Sequence, residues 1–89
     1  MEIVMNKNYI PKINCRFKIR KDIDFFLGFF QDKGVLTFNE VGAFIIKQMN
    51  GEKSVEEIGQ LVHEAFTSIE KPTKEVLFVA KQLQKSGFL

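Results

Sequence analysis

The chain has 89 residues, of which 45% are hydrophobic and 27% charged, and its formal net charge is +2. This balance is typical of one small globular domain and excludes a disordered tail, while the longest apolar run, residues 25–30, is too short to cross a bilayer. The N-terminus has an acidic second residue and no long apolar stretch of a secretory signal, so we expect a cytoplasmic protein without membrane association.

A short N-terminal segment precedes the first strand pattern. Residues 1–12 are predicted to be a flexible lead-in, and residues 13–89 the folded domain. Cys15, Phe17 and Ile19 alternate with basic residues, which is the period of a half-buried strand with one solvated basic face. Because it is the only cysteine, Cys15 forms no intramolecular disulfide, which fits a reducing compartment.

Two further strand patterns follow. Residues 25–30 are more continuously apolar, and Gly28 within them predicts either a bulge or a close approach to the backbone. Residues 31–34 predict a hairpin turn in which Gly34 adopts a positive φ, and residues 35–38 are the returning strand. Three successive strands predict an antiparallel meander whose third strand is an open edge.

The next signals predict two helices. Asn39 is a candidate N-cap for a helix that begins near Val41, and Gly51 is expected to end it. Ser54 and Glu57 have the spacing of a capping box, so a second helix begins there. That helix carries an apolar stripe that needs a partner inside the domain, formed by Val55, Ile58, Leu61, Val62, Ala65 and Phe66.

A third helix follows Pro72, which interrupts the second. Gly87 is expected to end it, and the last two residues to fold back into the core. Leu77 and Phe78 lie off its core stripe, which consists of Val76, Val79, Ala80 and Leu83. The predicted fold class is therefore α+β, a three-stranded antiparallel sheet followed by three helices, with the inventory of a winged helix-turn-helix.

No arrangement of residues predicts catalysis, a metal site or a cofactor. The only histidine, His63, falls on the polar side of the second helix without a second ligand at metal-binding spacing. The carboxylates of that helix are explained by capping and solubility. The glycines form neither a dinucleotide-binding fingerprint nor a phosphate-binding loop. We therefore predict a binding protein and not an enzyme.

A winged helix often binds DNA, but the charge pattern argues against DNA binding. The second helix carries Glu56, Glu57 and Glu64 where phosphate contacts would need lysine or arginine. The basic residues of the third helix and of the first strand fit solvated faces better. DNA binding remains the alternative hypothesis, and a scaffold that pairs with itself through the open strand edge is a third.

The order of these signals resembles the PqqD-like family, whose members are called RiPP recognition elements. The resemblance runs over residues 13–89 and includes no catalytic signature. The positions that carry it are Phe38, Asn39, Val41, Asn50, Gly51, residues 54–58, Val76, Val79, Leu83 and residues 87–89.

The resemblance implies a small domain that captures the leader segment of a ribosomally synthesised precursor peptide. It implies delivery to a peptide-maturation enzyme, either a protease or a radical-type modifying enzyme, by a monomer or weak dimer without a cofactor. The leader is expected to add as a strand to the edge formed by Val35, Leu36, Thr37 and Phe38. The wall against which it lies is assigned to the third helix, at Leu77, Phe78, Lys81, Gln84 and Lys85. Its two apolar residues would anchor apolar leader side chains, and its lysines would attract acidic ones.

Overall fold

The computed structural model describes residues 6–31 and 33–89. Three strands, β1 (Phe17–Lys21), β2 (Phe26–Phe30) and β3 (Gly34–Phe38), precede three helices, α1 (Glu40–Lys47), α2 (Val55–Ala65) and α3 (Pro72–Lys85). The strands pair antiparallel in the order β1-β2-β3, which leaves β3 at an edge. This arrangement confirms the predicted α+β class. No helix in the described ranges is long and apolar enough to span a membrane.

The hairpin between β2 and β3 has the predicted turn. The N–H of Lys33 donates to the carbonyl of Phe30 at 3.1 Å, and Gly34 has a φ of +109°. This φ lies in a region that favours glycine because a Cβ would clash there. Asp32, which belongs to the same turn, lies outside the described residues.

The pairing runs through Gly28 without a bulge, because Gly28 stands opposite Ile19 on one side and Leu36 on the other. A Cβ at this position would come within 2.8 Å of the Phe38 ring and 2.9 Å of the Phe30 ring. Of the two alternatives predicted for Gly28, the bulge is wrong, and the close approach exists but is made by side-chain rings and not by backbone. Aromatic rings occupy the space that a side chain would otherwise fill.

Phe30 is the centre of an aromatic cluster on the buried face of the sheet. Its side chain is 3% exposed. The ring stacks on Phe88 with centroids 4.2 Å apart and on Phe17 at 5.8 Å, and it meets Phe38 edge to face at 6.4 Å. This cluster joins all three strands to the C-terminal residues.

Phe88 reaches the sheet because α3 ends in a Schellman motif. The N–H of Phe88 donates to the carbonyl of Leu83 at 2.8 Å, and the N–H of Gly87 donates to Gln84 at 3.0 Å. Gly87 has a φ of +86°, which reverses the chain direction. Phe88 is 2% exposed, so the prediction that the chain folds back into the core is confirmed.

The first turns of α1 and α2 are capped as predicted. The Asn39 side-chain oxygen accepts from the N–H of Gly42 at 2.7 Å. Ser54 Oγ accepts from the N–H of Glu57 at 3.2 Å, and the Glu57 carboxylate accepts from the N–H of Ser54 at 3.0 Å. The second pair of bonds is a complete capping box.

The end of α1 differs from the prediction. The helix stops at Lys47, with Gln48 as a C-cap in right-handed conformation. Met49 lies just beyond the C-cap, outside the helix, and is 1% exposed in the hydrophobic core. Gly51 lies in the turn beyond, where its N–H donates to the carbonyl of Pro11 at 3.0 Å. The prediction that Gly51 ends α1 is therefore wrong.

The described part of the N-terminal segment lies across the start of α2. The N–H of Val55 donates to the carbonyl of Tyr9 at 2.8 Å, and the N–H of Glu56 donates to that of Lys7 at 2.9 Å. First-turn amides have no acceptor inside their own helix, so the segment satisfies two of them. Residues 1–5 lie outside the described residues, and the domain boundary drawn from the sequence stays a prediction.

Loss of the α2 cap is expected to destabilise the fold measurably. Ser54→Ala removes the side-chain oxygen that accepts from the first turn, which typically costs about 1 kcal/mol of unfolding free energy. Urea unfolding followed by circular dichroism measures this change. Thr67→Ala, an exposed site just beyond α2, is the control and is expected to leave the midpoint almost unchanged.

The same cap predicts a pH dependence of stability. The hydrogen bond from the Ser54 backbone, followed by that with the Ser54 side chain, lowers the pKa of Glu57 below its ordinary value. Because the folded pKa lies below the unfolded one, the contribution is present above the unfolded pKa and is lost as the pH falls through the folded pKa. We expect Glu57→Gln to lose less stability than the wild type between pH 7 and pH 3 in urea titrations. Equal losses in both proteins would contradict this expectation.

Candidate functional site

The open edge of β3 faces the last turns of α3 across a cleft. The cleft has a volume of about 310 Å³ and is lined by Leu36, Thr37, Phe38, Gln82, Lys85 and Ser86. Within the described part of the chain, β3 pairs only with β2. The main-chain groups along its other side can therefore bond to an added strand. The cleft thus combines a hydrogen-bonding edge with a helical wall.

The side chains of β3 divide between the two faces of the sheet, because successive residues point to opposite sides. Leu36 and Phe38 are half-buried and pack against the core. Val35 is 51% exposed, and Thr37 is also exposed. An added strand would therefore meet apolar side chains on the inner side and accessible ones on the outer side.

Four of the nine site residues predicted from the sequence line the cleft: Leu36, Thr37, Phe38 and Lys85. Val35 lies on the same edge, next to Leu36, on the outer face of the strand. The structure thus places three of the four predicted strand residues and one predicted helix residue at the cleft, and leaves Val35 on the other face of the same edge strand.

Phe78 and Lys81 extend the helical wall beyond the cleft. Phe78 precedes Gln82 by four residues and Lys85 by seven, so these three side chains share one face of α3. Phe78 is 61% exposed, and Lys81, four residues before Lys85, is exposed as well. Phe78 and Lys85 therefore lie on the cleft side of the helix, while Lys81, about 40° from both Lys85 and Leu77, lies at the boundary between that side and the flank of Leu77.

Leu77 and Gln84 occupy a different flank of α3. At 100° per residue they lie close to each other and well away from Gln82 and Ser86, which line the cleft. Leu77 is half-buried and packs against the core. The structure therefore does not bring these two predicted residues to the cleft.

The sequence prediction missed Gln82 and Ser86. The helical period places Gln82 on the same face as Phe78, and this spacing was the available signal. Ser86 follows the last helical residue and reaches the cleft because α3 ends beside β3. Both side chains can donate and accept hydrogen bonds, so they suit polar groups of a bound peptide.

The chemistry of the cleft fits binding. Its lining contains one cation, Lys85, and no carboxylate. In residues 6–31 and 33–89 no three His, Cys, Asp or Glu side chains come together in a metal-binding group. His63 is exposed on α2, away from the residues that line the cleft. The ammonium group of Lys85 gives the cleft a positive charge that favours acidic groups.

Comparison with known proteins gives one family match. A family model described as coenzyme PQQ synthesis protein D (PqqD) matches residues 29–89, which is more than half of the chain. The match begins in β2 and includes β3, all three helices and the cleft. No curated protein and no solved structure gives a match.

Proposed function

Because this chain belongs to the PqqD family, the family of RiPP recognition elements, we propose that it binds the leader segment of a ribosomally synthesised precursor peptide and delivers it to a modifying or processing enzyme. The family relationship implies that this chain binds a peptide, works with a modifying enzyme and is itself non-catalytic. The observation that best supports a binding mode is the unpaired edge of β3 opposite α3, within the part of the chain that is described.

The leader adds to β3 as a fourth strand of the sheet. Main-chain hydrogen bonds hold it in register, at the usual spacing of about 4.8 Å between strands. Alternate side chains of the leader then enter the cleft, where they meet Leu36 and Phe38 on one side and Gln82 on the other. Main-chain bonding supplies general affinity, while the cleft selects the side chains that fit.

The helical wall supplies an apolar anchor and positive charge. Phe78 covers an apolar leader side chain beyond the cleft, and the ammonium groups of Lys81 and Lys85 attract acidic residues, mainly increasing the association rate. Leu77 and Gln84 contact the leader only where it continues around α3.

An affinity on the order of 1 μM, or about −8 kcal/mol, suits such an interface after a flexible peptide has been ordered. A peptide bound this way is held near the enzyme and can still be released. The protein would then act as an adaptor that raises the local concentration of the precursor without altering a covalent bond itself.

Phe78→Asp is expected to weaken leader binding about tenfold, or roughly 1.4 kcal/mol, because it replaces an apolar contact with a charge that repels acidic residues. Fluorescence anisotropy with the leader of a precursor peptide encoded nearby measures the dissociation constant. Phe25→Asp is the matched control, since Phe25 is an exposed phenylalanine in the β1–β2 turn. If the two variants bind the leader with equal affinity and their circular dichroism spectra are unchanged, Phe78 does not contact the leader.

An NMR titration of the labelled protein with this leader, at two salt concentrations, tests the whole proposal. We expect shift changes concentrated in residues 35–38 and 77–85, with moderate salt dependence. The DNA-binding alternative predicts changes with duplex DNA that weaken steeply as salt rises. Changes with DNA alone would refute the peptide-binding function.

A further inference from the structure

The face of the sheet opposite the helices carries an apolar centre with a basic margin. We call it the outer face and define it by two cross-strand rows, Lys18, Phe29 and Val35 in one, and Arg20, Leu27 and Thr37 in the other. Its three large apolar side chains, Leu27, Phe29 and Val35, are not among the apolar residues that form the core or pack against it. The helices instead cover the face that bears Phe30.

Large apolar side chains are exposed on this side of the molecule. Phe29 is 40% and Val35 51% exposed on the outer face, and Phe25 and Ile23 are exposed in the turn at one end of it. At the other end lies an open hollow of about 710 Å³, whose lining includes Phe29, Val35 and Lys18. Exposed apolar groups gathered in this way mark a surface that another molecule covers.

The charge on the outer face has one sign. Lys18 and Arg20 are exposed on the outer face, and Arg16 is exposed directly before β1. The outer face as defined contains no acidic residue. Asp22 and Asp24 are exposed in the turn between β1 and β2, beyond the two rows. A second copy that paired face to face through the two rows would therefore set cations against cations. The complementary surface is acidic at its margin and apolar at its centre.

We propose that the outer face docks the modifying enzyme through an acidic surface of that enzyme with exposed apolar side chains at its centre. This inference rests on the proposed function, in which the leader occupies the β3 edge and the cleft. The enzyme then needs a surface that the leader leaves accessible. Of the strand residues that line the cleft, Leu36 and Phe38 lie on the other side of the sheet from the outer face, while Thr37, at the edge, borders both surfaces. The part of the outer face formed by β1 and β2 is distinct from the cleft.

The bound leader enlarges this docking surface. As a fourth strand it would place every second side chain on the outer face, in a column next to Val35 and Thr37. An enzyme seated there contacts both the protein and the leader. Enzyme and leader then increase each other's affinity by the same factor, because coupling between two ligands is reciprocal. The enzyme thereby distinguishes the loaded protein from the empty one.

The test uses the full chain, the co-encoded modifying enzyme and the leader of the co-encoded precursor. The double variant Lys18→Glu, Arg20→Glu changes two exposed side chains of the outer face. The matched control is Lys71→Glu, Lys74→Glu, which makes the same change in net charge at exposed sites by the start of α3. Biolayer interferometry measures enzyme binding with and without the leader, and anisotropy measures leader binding.

We expect the outer-face variant to bind the enzyme at least tenfold more weakly and the leader within twofold of the wild type. The control variant is expected to keep both affinities. Phe29→Ser tests the apolar centre in the same way, and urea unfolding establishes that each variant is folded. Unchanged enzyme binding by folded outer-face variants, or an equal loss in the control, would overturn the proposal.

Measuring enzyme binding in the absence of the leader separates the docking proposal from the proposed function. If the leader fails to bind the wild type, the proposed function fails, while the outer-face variants still decide where the enzyme docks. Binding of a single-stranded oligonucleotide that replaces the enzyme and is lost in the outer-face variant would assign this face to nucleic acid. A concentration-dependent dimer that the same variant abolishes would assign it to a second copy. Either result overturns docking of the enzyme.

Discussion

Replacing Phe30 with alanine is expected to lower the free energy of unfolding by about 3–5 kcal/mol, the usual range for removing a buried phenylalanine. The side chain is 3% exposed, and its ring contacts those of Phe17, Phe38 and Phe88. At roughly 0.05–0.15 kcal/mol per residue, a domain of this size has only about 4–13 kcal/mol of stability to lose. The variant should therefore lose between about a quarter and all of the stability of the domain.

Urea unfolding monitored by circular dichroism measures this loss. Phe29→Ala is the matched control, because Phe29 is the adjacent residue of β2 but lies on the outer face and is 40% exposed. We expect the control to lose about 1 kcal/mol, as is common for a partly exposed side chain. A similar loss in both variants would contradict the central position of Phe30 in the core.

When single backbone amides of the leader are N-methylated one at a time, we expect methylation at every second position to weaken binding about 10- to 100-fold. Alternate N–H groups of an added strand face β3, and an N-methyl group removes the donor of one main-chain hydrogen bond. Leaving the acceptor on β3 unpaired costs about 1–3 kcal/mol, which corresponds to this range. Methyl groups at the intervening positions point away from β3 and should have little effect.

The N-methyl series is measured by anisotropy, each peptide being compared with its unmethylated parent. Since the side chains stay the same, these comparisons isolate the main-chain contribution. A loss that follows the chemistry of the side chains and shows no period of two would contradict strand addition. It would favour a leader bound through its side chains alone.

Most of the fold could be predicted because its signals are local. The capping box joins Ser54 to Glu57 within one turn, and Gly34 and Gly87 take the positive φ angles that a hairpin and a helix end require. The end of α1 is different in kind. Helical spacing alone lets Met49 continue the helix, whereas in the structure Met49 lies beyond it, buried with residues that are distant in sequence.

The strand half of the candidate site could also be predicted, because the last strand of a meander lies at an edge. The helix half could be predicted only in part. A helical period groups side chains by face, but it does not tell which flank of α3 faces β3, since that depends on how the helix crosses the sheet. For this reason Leu77 and Gln84 were included in the predicted wall, whereas Gln82 and Ser86 were not.

The missing side chain at Gly28 limits the order in which substitutions can accumulate in this protein. A Cβ there would lie under 3.0 Å from the rings of Phe30 and Phe38, so a larger residue fits only after both rings have moved or become smaller. A smaller residue at position 30 alone would leave a cavity in the core. These positions therefore form an epistatic unit, in which single changes are harmful and compensated combinations can be tolerated.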